Sequence, residues 1–198
     1  WQQLGSAQAP TGADSEARGP RPEPREVPSP KSAERTIATA LRQSSKVVQL
    51  DLPRLAKEIL LVPGHDSHEL AAEFRSIKRP IVANLTGSSN AAIPGSNLIV
   101  VTSAVPGEGK TFCAINLALS LAAEIDRTVL LVDADVLKPT VARRLGIEVQ
   151  AGLLDVLADA KIDLANVLLK TNISKFTVLP SGAPRADSAE LLAGDWQV

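Results

Sequence analysis

Residues 97–122 read NLIVVTSAVPGEGKTFCAINLALSLA. Leu98 to Val101 form a short apolar run rich in β-branched residues, which predicts a buried strand. AVPGEGKT, Ala104 to Thr111, follows it. A helix is then predicted from about Lys110 to Glu124, with Ile115, Leu119 and Ala122 at helical spacing. Strand, glycine-rich loop and helix in this order is the setting of a phosphate-binding loop. Gly107 and Gly109 free the backbone to turn N–H groups toward phosphate oxygens. The helix start brings its positive dipole end to the same anion. Lys110 supplies a mobile charge for the β- and γ-phosphates, and the Thr111 hydroxyl suits an Mg²⁺ shell. The predicted nucleotide-binding stretch is Pro106, Gly107, Glu108, Gly109, Lys110, Thr111 and Phe112. Ala104 stands where the general pattern G-x-x-x-x-G-K-[ST] has glycine. The strand and helix context outweighs the alternative of a glycine-rich turn with an exposed lysine.

One helix further on, TVLLVDAD (128–135) predicts the next buried strand. It ends in two carboxylates, Asp133 and Asp135, at the edge of a parallel sheet where ligands bind. Both point to one side only if the chain is still extended there. Beside a phosphate loop such residues hold a metal or accept a proton from an attacking hydroxyl. Asp133 and Asp135 therefore join Lys110 as candidate catalytic residues, with Thr111 and Asp135 as candidate metal ligands.

Outward from this pair, GLLDVLAD (152–159) and LANVLLK (164–170) read as helices, and FTVLP (176–180) as a third strand. Ser188 is expected to cap a final helix. Toward the N-terminus, Val48, Leu50 and Leu52 alternate as in a short strand, and Pro53 suits the first turn of a helix PRLAKEIL. A second helix is predicted from Asp66, with Glu69 completing a capping box. Leu70, Phe74 and Ile77 would face the core, and Pro80 would kink or end it. SSNAAIPGSN (88–97) reads as a loop. Alternating strands and helices predict an α/β fold, a mostly parallel sheet flanked by helices with right-handed crossovers.

Six of the 14 prolines fall within the first 30 residues. Residues 1–45 therefore read as a disordered, proline-rich linker, with one short helix within Ala33 to Arg42. Residues 46–90 read as an N-terminal strand and helix extension, and 91–198 as the phosphate-loop domain.

Composition narrows the function classes. Lys+Arg is 21 and Asp+Glu 22 over 198 residues. A net charge of −1 leaves no global basic field for nucleic acid. No apolar run approaches the ~18 residues of a membrane span. The single cysteine excludes an internal disulfide. Cys113 reads as a small buried core residue. His65 and His68 lack the partners of a metal site. The Asn84 and Asn172 glycosylation patterns read as chance matches. Arg143 and Arg144 read as a solvated helix face in preference to a partner or phosphate contact. The sequence has no Met and no Tyr and starts at Trp1, so it reads as a piece of a longer product.

Four blocks carry a family resemblance: ELAAEFRSIKRPIVAN (69–84), NLIVVTSAVPGEGKTFCAINLALSLA (97–122), RTVLLVDADVLKPTVARRLG (127–146) and residues 152–194. The sequence resembles bacterial tyrosine kinases of the capsule and exopolysaccharide type (the CpsD/CapB family), and within them the autokinases of exosortase-linked (XrtA/PEP-CTERM) loci. The resemblance implies ATP and Mg²⁺ as cofactors, with Lys110 and Thr111 at the phosphates and metal. It implies that Asp133 and Asp135 serve metal coordination and activation of a tyrosine hydroxyl. Lys138 lies where the family commonly has a basic residue. A membrane-bound chain-length regulator is the implied partner, and the inner face of the bacterial inner membrane the implied location. The family's third acidic motif and tyrosine cluster would lie beyond Val198. Its oligomerisation pattern E-x-x-R-x-x-R falls on Ala72, Arg75 and Lys78, which keep only the central arginine, so a homo-oligomer is left open. Partitioning ATPases of the MinD/ParA type share the architecture. Their loop carries an extra lysine where this sequence has Val105 and Pro106, which favours the kinase branch. The third alternative is a nucleotide-binding module without catalysis.

Overall fold

The computed structural model describes residues 35–37, 39–40, 46–65, 68–85 and 97–193. Its sheet has four strands: β1 (Val47–Val48), β2 (Val129–Val132), β3 (Leu169–Thr171) and β4 (Phe176–Leu179), in the order β1-β3-β4-β2. β1 is parallel to β3, and β2 to β4 with Val129 opposite Phe176. Only β3 and β4 are antiparallel. The helices are α1 (Leu52–Lys57), α2 (His68–Leu85), α3 (Lys110–Ala122), α4 (Val141–Leu145), α5 (Leu153–Ala158), α6 (Leu164–Val167) and α7 (Ser188–Ala193). This is the expected α/β architecture, a mostly parallel sheet flanked by helices.

The two-residue period of the strands sorts the core. Val129, Leu131, Phe176 and Val178 pack with Leu55, Phe74, Ile115 and Leu119 of α1, α2 and α3. Leu130 and Leu179 face the other way, onto Ala165, Val167, Leu168 and Val156. Both faces are thus covered by helices, and all four residues of β4 are buried. That double cover is why these strands read as continuous apolar runs. Ala40, within the helix expected over 33–42, belongs to the second cluster and is buried.

Several elements depart from expectation. LIVV (98–101) is not a strand: Leu98 and Val100 are 75% and 76% exposed. Strand propensity needs a neighbour to take the backbone N–H and C=O groups, and none of the four strands lies against it among the described residues. LANVLLK divides, its last residues leaving α6 to pair in β3. The alternation at Val48, Leu50 and Leu52 shortens to the two residues of β1, Leu50 entering the core and Leu52 opening α1. Pro53 does sit in the first turn of α1, where Asp51 Oδ1 accepts from Arg54 N at 3.0 Å. α2 runs through Pro80 to Leu85. The carbonyl that Pro80 leaves without its bond is that of Ser76, which is exposed to water. Ile77 is 49% exposed. It lies roughly 90° from the middle of the stripe of Ala71, Phe74, Ile81 and Val82. Asp66 of the expected capping box and residues 86–96 lie outside the described residues. Ser188 opens α7, its Oγ accepting from Arg185 N at 3.0 Å.

α3 positions the site, and it is anchored along its length. Asn116, fully buried, accepts from Leu61 N at 2.8 Å and donates to Ile59 O at 3.3 Å. It thereby holds the turn after α1, where Ile59 adopts a left-handed φ of 59°. Below it, Lys78 Nζ of α2 pairs with Glu124 at 2.5 Å and donates to Ser120 O at 3.0 Å. The Lys175 ammonium donates to Glu124 O at 3.1 Å and to Ile125 O, closing the C-terminal end. Asn116→Leu leaves the buried Leu61 N–H unpaired and removes a part-buried bond to Ile59 O, so a loss of about 1–3 kcal/mol is expected. Urea unfolding measures it, and an unchanged midpoint would refute the anchoring role.

Candidate nucleotide-binding site

The loop from Ala104 to Gly109 turns on Gly107 and Gly109, with φ of 91° and 92°. A Cβ at either would meet nothing within 4 Å, so it is backbone conformation that calls for glycine there. Gly109 caps α3, and its carbonyl accepts from Cys113 N at 2.9 Å. The Glu108 carboxylate folds back, accepting from Ala104 N at 3.0 Å and Val105 N at 3.2 Å. It braces the loop from inside.

The loop walls a cavity of ≈ 490 Å³. Of the predicted nucleotide-binding residues, Pro106, Gly107, Gly109, Lys110, Thr111 and Phe112 line it, and Glu108 does not. Across from them stands Asp135, whose carboxylate pairs with the Lys110 ammonium. Asp135 Oδ1 also accepts from Lys138 N at 3.1 Å. The hydrogen bond from Lys110 holds the Asp135 carboxyl below the usual carboxylate range.

β2 ends at Val132, and Asp133 N still donates to Leu179 O at 2.9 Å. Beyond it the chain leaves the extended path, which separates the two carboxylates. Asp133 is 4% exposed and is not part of the cavity wall. Its Oδ2 accepts from Val141 N at 3.1 Å and its Oδ1 from Asp135 N at 3.3 Å. Burial pushes its carboxyl above the ordinary value, and those N–H groups pull the other way. Thr111 Oγ1 lies 2.8 Å from Thr140 Oγ1, and Thr140 lines the same cavity.

Lys138, Arg143 and Arg144 complete the wall. Both arginines are exposed, as a solvated helix face requires, yet that face also borders the cavity. Thr140 was not legible as a site residue, because before V-A-R-R-L it reads only as a helix cap. Cys113 is exposed, which corrects the reading of it as a core residue. It lies about 180–240° around α3 from Ile115, Leu119 and Ala122. Among the described residues no cluster of three or more His, Cys, Asp or Glu side chains forms a metal site. The available donors are the hard oxygens of Thr111 and Asp135. They fit a small divalent cation that is completed by phosphate and water.

Fold and loop together define an α/β protein of the phosphate-loop class. No family model matches the chain. Its sequence relatives are bacterial tyrosine kinases and a polysaccharide transport protein. It is 40% identical over 98 residues to the tyrosine-protein kinase YwqD of Bacillus subtilis (strain 168), covering 50% of this chain and 40% of that one. It is 28% identical over 159 residues to the tyrosine-protein kinase ptk of Acinetobacter johnsonii, covering 80% and 21%. It is 35% identical over 126 residues to the succinoglycan biosynthesis transport protein ExoP of Rhizobium meliloti (strain 1021), covering 62% and 15%. The chain thus spans less than half the length of each. The solved BceF tyrosine kinase domain matches with a TM-score of 0.52 at 23% identity, over 82% of this chain and 57% of that one, and supports the fold.

The Lys110–Asp135 pair has a signed pH dependence. With its folded pKa below the unfolded value, Asp135 contributes stability that is present above a pH of about 4 and lost as pH falls through the folded pKa. Asp133 has the opposite sign. Its contribution is unperturbed at low pH and turns unfavourable as pH rises through its raised folded pKa. The urea midpoint of the wild type is expected to exceed that of Asp135→Asn at pH 7, and the gap to close toward a pH of about 2. A gap that persists at low pH would contradict the pair's ionic character.

Proposed function

We propose that the chain carries the ATP-binding site of a protein-tyrosine kinase acting in exopolysaccharide synthesis and export. The observation that carries this reading is the meeting of Lys110, Thr111 and Asp135 at one cavity, from sequence positions 25 residues apart. The kinase and polysaccharide names of the relatives supply the acceptor and the process. Resemblance across residues 69–194 extends the proposal to the exosortase-linked branch. It also suggests a membrane-bound chain-length regulator as partner, a place at the inner face of the inner membrane, and assembly into a homo-oligomer. Among the described residues no helix is long and apolar enough to cross a membrane.

In this reading the loop amides and Lys110 would bind the triphosphate, the Lys110 ammonium exchanging Asp135 for phosphate. Asp135 and Thr111 would hold Mg²⁺. The bound metal supplies charge neutralisation on the transferring phosphoryl group. Asp133, held by Val141 N and Asp135 N, fixes the path of the acidic segment from beneath. Activation of the acceptor hydroxyl is assigned to Asp135, the carboxylate on the cavity wall. The sequence contains no tyrosine, so the acceptor hydroxyl must come from outside these 198 residues.

The test supplies the chain with Mg²⁺, ATP and a tyrosine-containing acceptor peptide and follows phosphotyrosine. Lys110→Met is expected to lower its formation by about a hundredfold or more, with the far-UV circular dichroism unchanged. ATP hydrolysis without phosphotyrosine would overturn the kinase reading in favour of a nucleotide switch of the partitioning type.

A further inference from the structure

Thr140 is the N-cap residue of α4, a position whose hydroxyl ordinarily accepts a backbone N–H of its own first turn. Here it makes no such bond. The first N–H of the helix, that of Val141, donates to the buried Asp133 carboxylate. The Thr140 hydroxyl is left to face the cavity and meets Thr111 Oγ1 at 2.8 Å. A hydroxyl has one proton and two acceptor lone pairs. A threonine that ligates a cation must turn its proton away from the metal. Among the described residues, Thr140 Oγ1 is the one hydrogen-bond partner of the Thr111 side chain.

We propose that Thr140 is a positioning residue of the cation site: its Oγ1 accepts the Thr111 hydroxyl proton and so directs the Thr111 lone pairs into the cavity, toward a divalent cation shared with the nucleotide. The proposal rests on the nucleotide-binding reading above. It gives the buried Asp133 an indirect part, since by holding Val141 N–H it fixes the start of α4, where Thr140 stands.

The test compares wild type, Thr140→Val and Thr140→Ser for binding of a fluorescent ADP analogue, with Mg²⁺ and with EDTA. Valine keeps the shape and removes the hydroxyl, whereas serine keeps the hydroxyl. In wild type, Mg²⁺ is expected to tighten binding. Thr140→Val should lose roughly tenfold of that gain, as removal of a group that orients a metal ligand does. Its affinity in EDTA should be unchanged, and Thr140→Ser should retain the gain. The proposal is overturned if Thr140→Val keeps the full Mg²⁺ gain, or if it weakens binding equally in EDTA, which is the mark of a structural role. Wild type that binds the analogue without any Mg²⁺ gain overturns this proposal alone. Wild type that does not bind it at all overturns the nucleotide-binding reading, and this proposal with it.

Discussion

A buried carboxylate organises the acidic side of the cavity. Asp133 leaves water at the end of β2, which is costly for an ion unless donors replace its hydration. Two backbone N–H groups do so, from Asp135 and Val141. The first makes the chain turn out of the strand, and the second draws the start of α4 back against it. Asp135, Lys138 and Thr140 lie between those two points and on the cavity wall. Their placement follows from one side chain that does not itself reach the cavity.

The opposite wall depends on α3. Its N-terminal residues form the phosphate loop's exit, while Ile115, Leu119 and Ala122 are packed in the core. Asn116 ties it to the turn after α1, and Lys78 and Lys175 hold its far end. The loop can therefore consist of residues with little packing of their own, since the helix fixes its position. Glu108 then supplies the local bracing that Gly107 and Gly109 cannot. Lys78 is engaged within the chain at this point, on the same helix where the resemblance placed an assembly motif.

The site was largely legible because its chemistry is local. A glycine-rich turn, a lysine and a threonine at a helix start are neighbours in sequence, and so are two aspartates at a strand end. Asp133 and Asp135 were indistinguishable there, because their difference lies in what surrounds them. One is enclosed by α4 and β4, and the other faces Lys110. The core of α3 was readable from its periodicity, and the strands β2 and β4 from their apolar runs. Less readable were elements whose state depends on a neighbour distant in sequence. LIVV has strand composition and, among the described residues, no strand beside it, whereas the end of LANVLLK has helical spacing and is captured by β1 and β4. Thr140 escaped notice for the same reason. Its place beside Thr111 is a contact between residues 29 positions apart.

The charges on the cavity wall explain why nucleotide and cation would enter together. Lys110, Lys138, Arg143 and Arg144 face it with Asp135 as the carboxylate among them. A triphosphate alone would draw Lys110 away and leave Asp135 ionised beside phosphate oxygens, a like-charge contact. A cation alone would take Asp135 and leave the Lys110 ammonium facing a dication. Each ligand by itself would break the internal pair and replace it with repulsion. Together they would replace that pair with two, ammonium with phosphate and carboxylate with cation. The partial exposure of Lys110 and Asp135, 36% and 25% at the side chains, keeps the internal pair weak enough to exchange. A fully buried pair would resist opening far more strongly. In the proposed reading, the contact that satisfies Lys110 and Asp135 would thus couple the two ligands.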